Sequence, residues 1–559
     1  MQLRSHPKRS SIISGLALGL ALVTCAPSAR ANVYATNIKL NGELINATAT
    51  QGSEVNISYI LNEPASAGVT IDVVSNAVAV RTLSIAGYDN GALSGLNTVV
   101  WDGKDADGNN VAPGAHYSVR ITAASTGYDV WTTTSTDNLD GNIVWEGRGI
   151  GVNQNPKSPY YGRIFVANSH IDDVYGINVP GDSVGMIKLN ADGSFADEGP
   201  FSTGGHAWAG DYYSPWKLEV SADDYVYIND FTSSGEIYRW DQTLSTNSLL
   251  HVLRTNNWAP GCNMSGPAIF GTGTNTEIYM ADIPYPGSRG IVKYTVTADG
   301  TCATNDTGTA VIPISYPLSL YPYDVALDKH HNYYMIQYRE NTTDAAPRVM
   351  RYPANYDITT NAVADWDSAT LYGADQQTDD WNGAFGIAVD PTGTYVAVCF
   401  EGTSDRGNTK ILEAATGILV TNLDLDMDIN GGGATHDDLD VCWDAVGNVY
   451  YIDDYSGMWR SVSPPGTNSS TTDAVVTLEV VNLAPAPIIS SCSLAVGVFT
   501  MNFTAGASDT ASAFEVFSCG TVAGSYGLAS GANITGSGGT FQATVPASGP
   551  VQFYRIHRK

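Results

Sequence analysis

Apolar positions in this chain come in short runs bounded by Gly, Asp, Asn and Pro. Near the start, "GSEVNISYIL" (52–61) and "GVTIDVVS" (68–75) alternate apolar and polar residues. Near the end, "FTMNFTA" (499–505), "SAFEVFSC" (512–519), "GTFQATV" (539–545) and "VQFYRIHR" (551–558) do the same. That period of two predicts half-buried β-strands. Between these regions stand six heptads of another kind: "RIFVANS" at 163, "YVYINDF" at 225, "EIYMADI" at 277, "NYYMIQY" at 332, "TYVAVCF" at 394 and "NVYYIDD" at 448. Their apolar and aromatic residues fall on both faces, which predicts strands buried on both sides. Their starts are 62, 52, 55, 62 and 54 residues apart. That period is too long for one hairpin and suits one four-stranded propeller blade with generous loops.

Four heptads share an upstream partner: "PWKLEVS" (215–221), "PYDVALD" (322–328), "AFGIAVD" (384–390) and "DLDVCWD" (438–444). Each ends four residues before its heptad begins, giving strand, turn, strand. Asp328, Asp390 and Asp444 are placed to cap that turn, and Gly393 and Gly447 to supply positive φ. The unit resembles the NHL repeat over about 330 residues, although the first and third units lack the upstream match. NHL-like sequences, and the related gluconolactonase-type lactonases, form six-bladed propellers, so the resemblance implies six blades here.

Upstream, "TVVWDGKDADGNNVAPGAHYSVRITA" (98–123) resembles the Ig-like module of flagellar hook-capping (FlgD-type) proteins. The matching residues are Trp101, Asp102, Gly103, Asp105, Gly108, Val111, Pro113, Gly114 and Tyr117. Trp101 is the expected core anchor, and the Asp-Gly turns reverse the chain. The C-terminal region resembles fibronectin-III-like modules of secreted bacterial proteins. The expected fold class is therefore all-β: a six-bladed β-propeller flanked by two β-sandwich domains. The expected divisions are a signal peptide at 1–31, an Ig-like sandwich at 32–135, the propeller at 140–480 and a second sandwich at 485–559. Residues 461–473 and 483–488 read as linkers or as edges of the last blade.

The leader has a basic stretch "MQLRSHPKR", an apolar stretch "IISGLALGLALVTCA" and a small-residue "ARA", predicting cleavage before Asn32. Lipidation at Cys25 is the alternative, disfavoured by Thr24 just before it. No later run reaches the ~20 apolar residues of a membrane-crossing helix. A bacterial secreted or cell-surface protein follows, with the periplasm as the other compartment. Without Cys25, the cysteines fall as sequence neighbours: Cys262 with Cys302, Cys399 with Cys442, Cys492 with Cys519. An even set in an exported protein predicts disulfides, although six cysteines allow 15 pairings.

The chain carries 56 acidic and 27 basic residues, a net charge of −29, which becomes −33 without the leader's four basic residues. Such a surface repels phosphate backbones, so nucleic acid and anionic membranes are excluded as partners. It attracts cations. Asp426-x-Asp428-x-Asn430-Gly431 has the oxygen-ligand spacing of a calcium loop, with Asp437 at the twelfth position. Leu423, Leu425, Met427 and Ile429 alternate with Asp424, Asp426 and Asp428, so a strand with one wet face reads equally well. His436 lies beside this loop.

A second set comes from the repeat. Lys217, Asp324, Gly386 and Asp440 occupy equivalent positions on predicted inner strands and are expected to form one ring around the channel. Asp324 and Asp440 are candidate metal ligands, as the lactonase resemblance implies; a polar lining for a wet tunnel is the plainer reading. Asp105-x-Asp107-Gly108-Asn109 reads more simply as a hairpin turn than as a cation site. Tyrosines in "YPGSRG" (285–290) and "SYPLSLYPY" (315–323) are candidates for stacking on sugars. No nucleophile elbow, phosphate loop or metal-spaced His pair occurs. The expected function is non-catalytic binding or structure, with a protein, a glycan or copies of the chain as partner. The alternative is a hydrolase of lactonase type with Ca²⁺ or a similar ion at the channel.

Overall fold

The computed structural model describes residues 32–559 apart from 137–138, 145, 170–182, 211–212, 232–235, 255–262, 265, 284–289, 305, 313–320, 339–346, 357–362, 374–380, 382, 403–408, 424–435, 455–456, 482–485, 508, 548 and 550. The leader and Cys262 therefore lie outside the described residues. The described chain is almost entirely strand and turn. Among its described helices none is long and apolar enough to cross a membrane.

Each of the six heptads forms the second strand of a sheet, and each matched upstream partner forms the first. Blade 1 runs Gly147–Val152, Ile164–Asn168, Gly185–Leu189, Phe201–Ser202. Blade 2 is Leu218–Val220, Val226–Asp230, Glu236–Trp240, Leu250–Leu253. Blade 3 is built on Glu277–Ile283, which pairs with Asn263–Met264 and Ala268–Phe270 on one side and Gly290–Thr295 on the other, followed by Thr309–Ile312. Blade 4 is Tyr321–Leu327, Tyr333–Tyr338, Val349–Tyr352, Trp366–Asp367. Blade 5 is Ala384–Val389, Tyr395–Gly402, Thr409–Glu413, Leu419–Asn422. Blade 6 is His436–Trp443, Val449–Asp453, Met458–Ser463.

Alternate residues of each second strand pack into different layers. In blade 2, Val226 and Ile228 join Phe165 and Met186 of blade 1, while Tyr227 joins Ile278 and Met280 of blade 3. Tyr279 of blade 3 packs with Met335 of blade 4, and Ile336 of blade 4 with Val398 of blade 5. Ala397 and Cys399 of blade 5 pack with Trp443 and Tyr451 of blade 6, and Tyr450 and Ile452 of blade 6 return to Ile150 and Ile164 of blade 1. Six inter-blade layers thus close a ring. This is why the heptads are apolar on both faces.

The Asp-led turns form as the pattern predicts. Asp328 Oδ1 accepts from the backbone N–H of His330 (2.8 Å) and Asn332 (2.9 Å), and Asp444 Oδ1 from Val446 (3.0 Å) and Asn448 (2.8 Å). Asp390 accepts from Thr392 and Thr394 in the same way. Gly447 completes its turn at φ +95°, a conformation that disfavours any side chain.

The N-terminal sandwich has one sheet of Ala35–Leu40, Val55–Leu61 and Gly95–Trp101. Trp101 is buried and stands 5.9 Å from Tyr117. Asp105 Oδ1 accepts from Asp107 and Asn109 N–H, so the acidic stretch there is a hairpin turn. The second sheet departs from expectation. Residues 466–473, read as linker or blade edge, and 477–481, at the end of the expected propeller span, form the strands Gly466–Asp473 and Thr477–Val481. Both pair antiparallel with His116–Tyr128, and the latter also pairs parallel with Asn46–Thr50. Val476, Leu478 and Val480 enter the sandwich core. Thr132–Thr133, which precedes blade 1, forms the outermost strand of blade 6 and closes the ring. The propeller is thus inserted into the sandwich, which is completed by strands that follow the last blade.

The C-terminal sandwich is local by contrast. Its sheets order Ile488–Ala495, Val498–Thr504, Thr540–Pro546, Asn533–Ser537 and Gly527–Leu528, Phe514–Cys519, Phe553–Arg558. Phe503, Phe514 and Phe541 form its core.

The expected disulfides are corrected for the described cysteines: Cys302, Cys399, Cys442, Cys492 and Cys519 are free thiols. Sequence neighbours are not spatial neighbours here. Cys399 packs in the layer between blades 5 and 6, Cys442 against the layer between blades 6 and 1. Cys492 and Cys519 belong to different sheets of the last sandwich.

Candidate functional site

All six blades line one central cavity of about 150 Å³. Its polar contributors include Gln154, Lys217, Glu219, Asp324 and Asp440. Lys217, Asp324, Gly386 and Asp440 do converge there, although they stand 223 positions apart at the extremes. Lys217 reaches across the channel. Its Nζ donates to Asp324 Oδ2 at 2.6 Å, to Phe385 O at 2.5 Å and to Asp440 Oδ1 at 2.9 Å. An ammonium has three protons, and here each has an acceptor. Asp440 Oδ2 accepts from the Ile150 N–H at 2.9 Å, and Asp324 Oδ1 from its neighbour Val325 at 3.0 Å. One hub thus ties blades 1, 2, 4, 5 and 6 together.

Two glycines make the approach close enough. A Cβ at Gly386 would lie 2.8 Å from Asp440 Cα, and one at Gly266 of blade 3 would lie 2.8 Å from Lys217 Cδ. Any side chain at either position would push the hub apart.

The charges at the hub are strongly coupled. Burial opposes ionisation of Lys217, but Asp324 and Asp440 outweigh it and raise its pKa, so the ammonium is retained. Burial raises the Asp324 carboxyl to about 6 against the pull of Lys217, and raises Asp440 as well. Glu219 was not singled out by the sequence pattern. It stands two residues beyond Lys217 on the cavity wall, and its Oε2 accepts from the Ile269 N–H at 2.9 Å. Burial, with Asp324 and Asp440 nearby, lifts it to about 8. It holds its proton near neutral pH and is the cavity group suited to proton exchange.

For a metal, the pair Asp324 and Asp440 does not fit as arranged, because the Lys217 ammonium already occupies the place between them. Among the described residues no group of three or more His, Cys, Asp or Glu is placed to hold an ion. Asp426, Asp428 and Asn430 of the acidic loop lie outside the described residues. Asp437 and His436 begin the inner strand of blade 6, where their backbones pair with Glu401 and Gly402 of blade 5. Of the tyrosines considered for sugar stacking, Tyr323 is buried against Tyr338 and Phe385. Residues 284–289 and 313–320 are outside the description.

The comparisons with known proteins agree with parts of this picture. Residues 43–127 match the FlgD Ig-like domain. No curated protein matches the chain. Among solved structures, the calcium structure of a Trichoderma reesei carbohydrate-active enzyme of family AA12 is similar at 13% identity and a TM-score of 0.36, covering 61% of this chain and 98% of that one. A Bacteroides ovatus xyloglucan PUL GH43B structure covers 94% of this chain and 100% of that one, at 10% identity and a TM-score of 0.26. Likeness at these scores carries no inference about function.

Proposed function

We propose that this is an exported bacterial protein whose propeller serves recognition or assembly and not turnover, displayed on a sandwich into which it is inserted. The partner is another protein, a glycan or a further copy of the chain. The observation that carries this reading is the hub: the charged groups best placed for chemistry, Lys217, Asp324 and Asp440, satisfy one another and cross-brace the blades. The match to an FlgD Ig-like domain, a flagellar hook-related module, supports an assembly role. The divisions at 31, 135 and 485, the leader cleavage and the calcium loop at Asp426, Asp428, Asn430 and Asp437 belong to the same proposal.

A hydrolase is the second reading, favoured by one observation: Glu219, whose carboxyl burial raises to about 8, lines the cavity wall. The test is a panel of lactones, esters and glycosides incubated with the mature protein, with Ca²⁺ or with a chelator. No turnover above buffer is expected, alongside saturable binding to surface proteins or glycans. Metal-dependent hydrolysis that disappears in Glu219→Gln would overturn the binding reading.

A further inference from the structure

The joint between sandwich and propeller contains a carboxylate without a cation. Glu63 is 1% exposed. Its Oε2 takes the Tyr128 and Ser463 hydroxyls, each at 3.1 Å, while Oε1 is buried with no hydrogen-bond partner. The charge acting on it is that of another acid, Asp444. A buried carboxylate lacking a donor is costly, so a donor is expected.

Asn32 sits against the same spot. The antiparallel register sets Ala35 opposite Leu61, and Tyr34 N–H donates to Asn62 Oδ1 at 2.9 Å. Beyond that register Val33 leaves the ladder: its N–H donates to Asn468 Oδ1 at 3.3 Å and its carbonyl accepts from Ser470 Oγ. Asn32 is itself 1% exposed. Its carbonyl accepts from Asn62 Nδ2 and Asn448 Nδ2, both at 2.8 Å, and its side-chain amide donates to Pro464 O at 2.8 Å. Ser463 Oγ links the two halves, 2.6 Å from Asn448 Oδ1 and 3.1 Å from Glu63 Oε2. Asn32 is thus held by Asn62, the chain neighbour of Glu63, by Pro464, the chain neighbour of Ser463, and by Asn448, which Ser463 also contacts. Two further buried polar atoms here also lack partners: Asn32 Oδ1 and Asn468 Nδ2, the latter on the side chain whose Oδ1 takes the Val33 N–H.

We propose that cleavage between Ala31 and Asn32 creates an α-ammonium at Asn32 that serves as the missing partner of Glu63, so that leader removal completes the sandwich–propeller joint. The step is hydrolysis by a leader peptidase. Water adds across the amide, the C–N bond breaks, the leader leaves with the Ala31 carboxylate, and the Asn32 nitrogen gains the two protons that the water brings. The new group brings three donors and no acceptor, which suits both Glu63 Oε1 and Asn32 Oδ1. An α-amine titrates at about 7.7–8.0 and is charged at neutral pH. The inference rests on the proposed export of the chain but not on whether the propeller binds or hydrolyses.

The full chain is expressed in an exporting host and its mature mass determined. A mass beginning at Asn32 is expected; any other mature terminus overturns the proposal. Thermal unfolding is then measured for four proteins: the native terminus and one with a single Gly inserted before Asn32, each with Glu63 intact or as Glu63→Gln. The inserted Gly should lower Tm by ~3 °C or more with Glu63 present and by clearly less with Glu63→Gln. Equal losses in both backgrounds would mean a steric effect alone and overturn the pairing. Should Glu63→Gln fail to fold, the rate of α-amine acylation decides. At least tenfold slower reaction in the folded than in the urea-unfolded protein is expected, and equal rates overturn the proposal.

Discussion

The two sandwiches of this chain are built alike and secured differently. The C-terminal one takes all its strands from residues 488–558 and packs its own phenylalanines. The N-terminal one needs Gly466–Asp473 and Thr477–Val481, which arrive only after the whole propeller has been traversed. The first is a unit that local sequence can specify. The second is a joint, with its stability tied to that of the propeller. Long-range strand pairing is slow to form, because loop closure precedes any compensating contact.

Truncation tests this contrast most severely. Deleting 482–559 should leave the Tm of the remainder nearly unchanged. Deleting 466–559 should abolish soluble expression, because Val476, Leu478 and Val480 leave the first core and each buried side chain of this size contributes about 1.5–3 kcal/mol. Comparable solubility of the two products would mean that the shared strands are dispensable. Next in size is Lys217→Met, which strands Asp324 and Asp440 in the channel. Loss of one partner from a buried ionic cluster costs about 3–5 kcal/mol, measurable by urea unfolding. Arg558→Ala, which breaks the Asp509 pair in the last sandwich, should produce a much smaller shift.

The two regions should also respond oppositely to pH. Glu219 (about 8), Asp444 and Asp324 (each about 6) are all raised by burial. Raised acids favour folding fully below their unfolded values near 4, and that contribution is lost as pH rises toward 8. Asp509, held low by Arg558, has the opposite sign: its contribution is lost on acidification. Calorimetry from pH 4.5 to 8 should therefore show the propeller transition falling while that of the last sandwich holds. The smallest effect concerns thiols. Cys492, exposed, should react with maleimide at once and without loss of stability, whereas buried Cys399 should react only on unfolding.

Much of the propeller was legible because its signals are local. A strand buried on both faces has to be apolar at Tyr227 as well as at Val226 and Ile228, and a two-strand turn has to carry Asp444 and Gly447 at fixed spacing. Equivalent repeat positions also located the ring of Lys217, Asp324, Gly386 and Asp440, since symmetry carries a position in one blade to the same radius in the next. The lysine's bridging role was not legible, because reach and acceptor placement are properties of the closed ring. Glu219 was missed because no repeat partner marks it, although an acidic residue on a predicted inner strand was a usable signal. "GTNSSTTD" (466–473) read as a linker because its small polar residues bury only Asn468 and Thr472; its partner, His116–Tyr128, is some 350 positions away. The disulfide expectation failed because adjacency along the chain was taken for adjacency in space.

The chain departs for the propeller just after Tyr128 and re-enters at Gly466, and these two residues face each other across a single ladder. A pull applied between the first strand and the last sandwich would therefore run through the N-terminal sandwich alone. The six blades lie to the side of that load path, joined to it also by the Lys39–Asp197 pair and by Asn448 against Asn32. They would stay folded and available while the rest of the molecule bears tension.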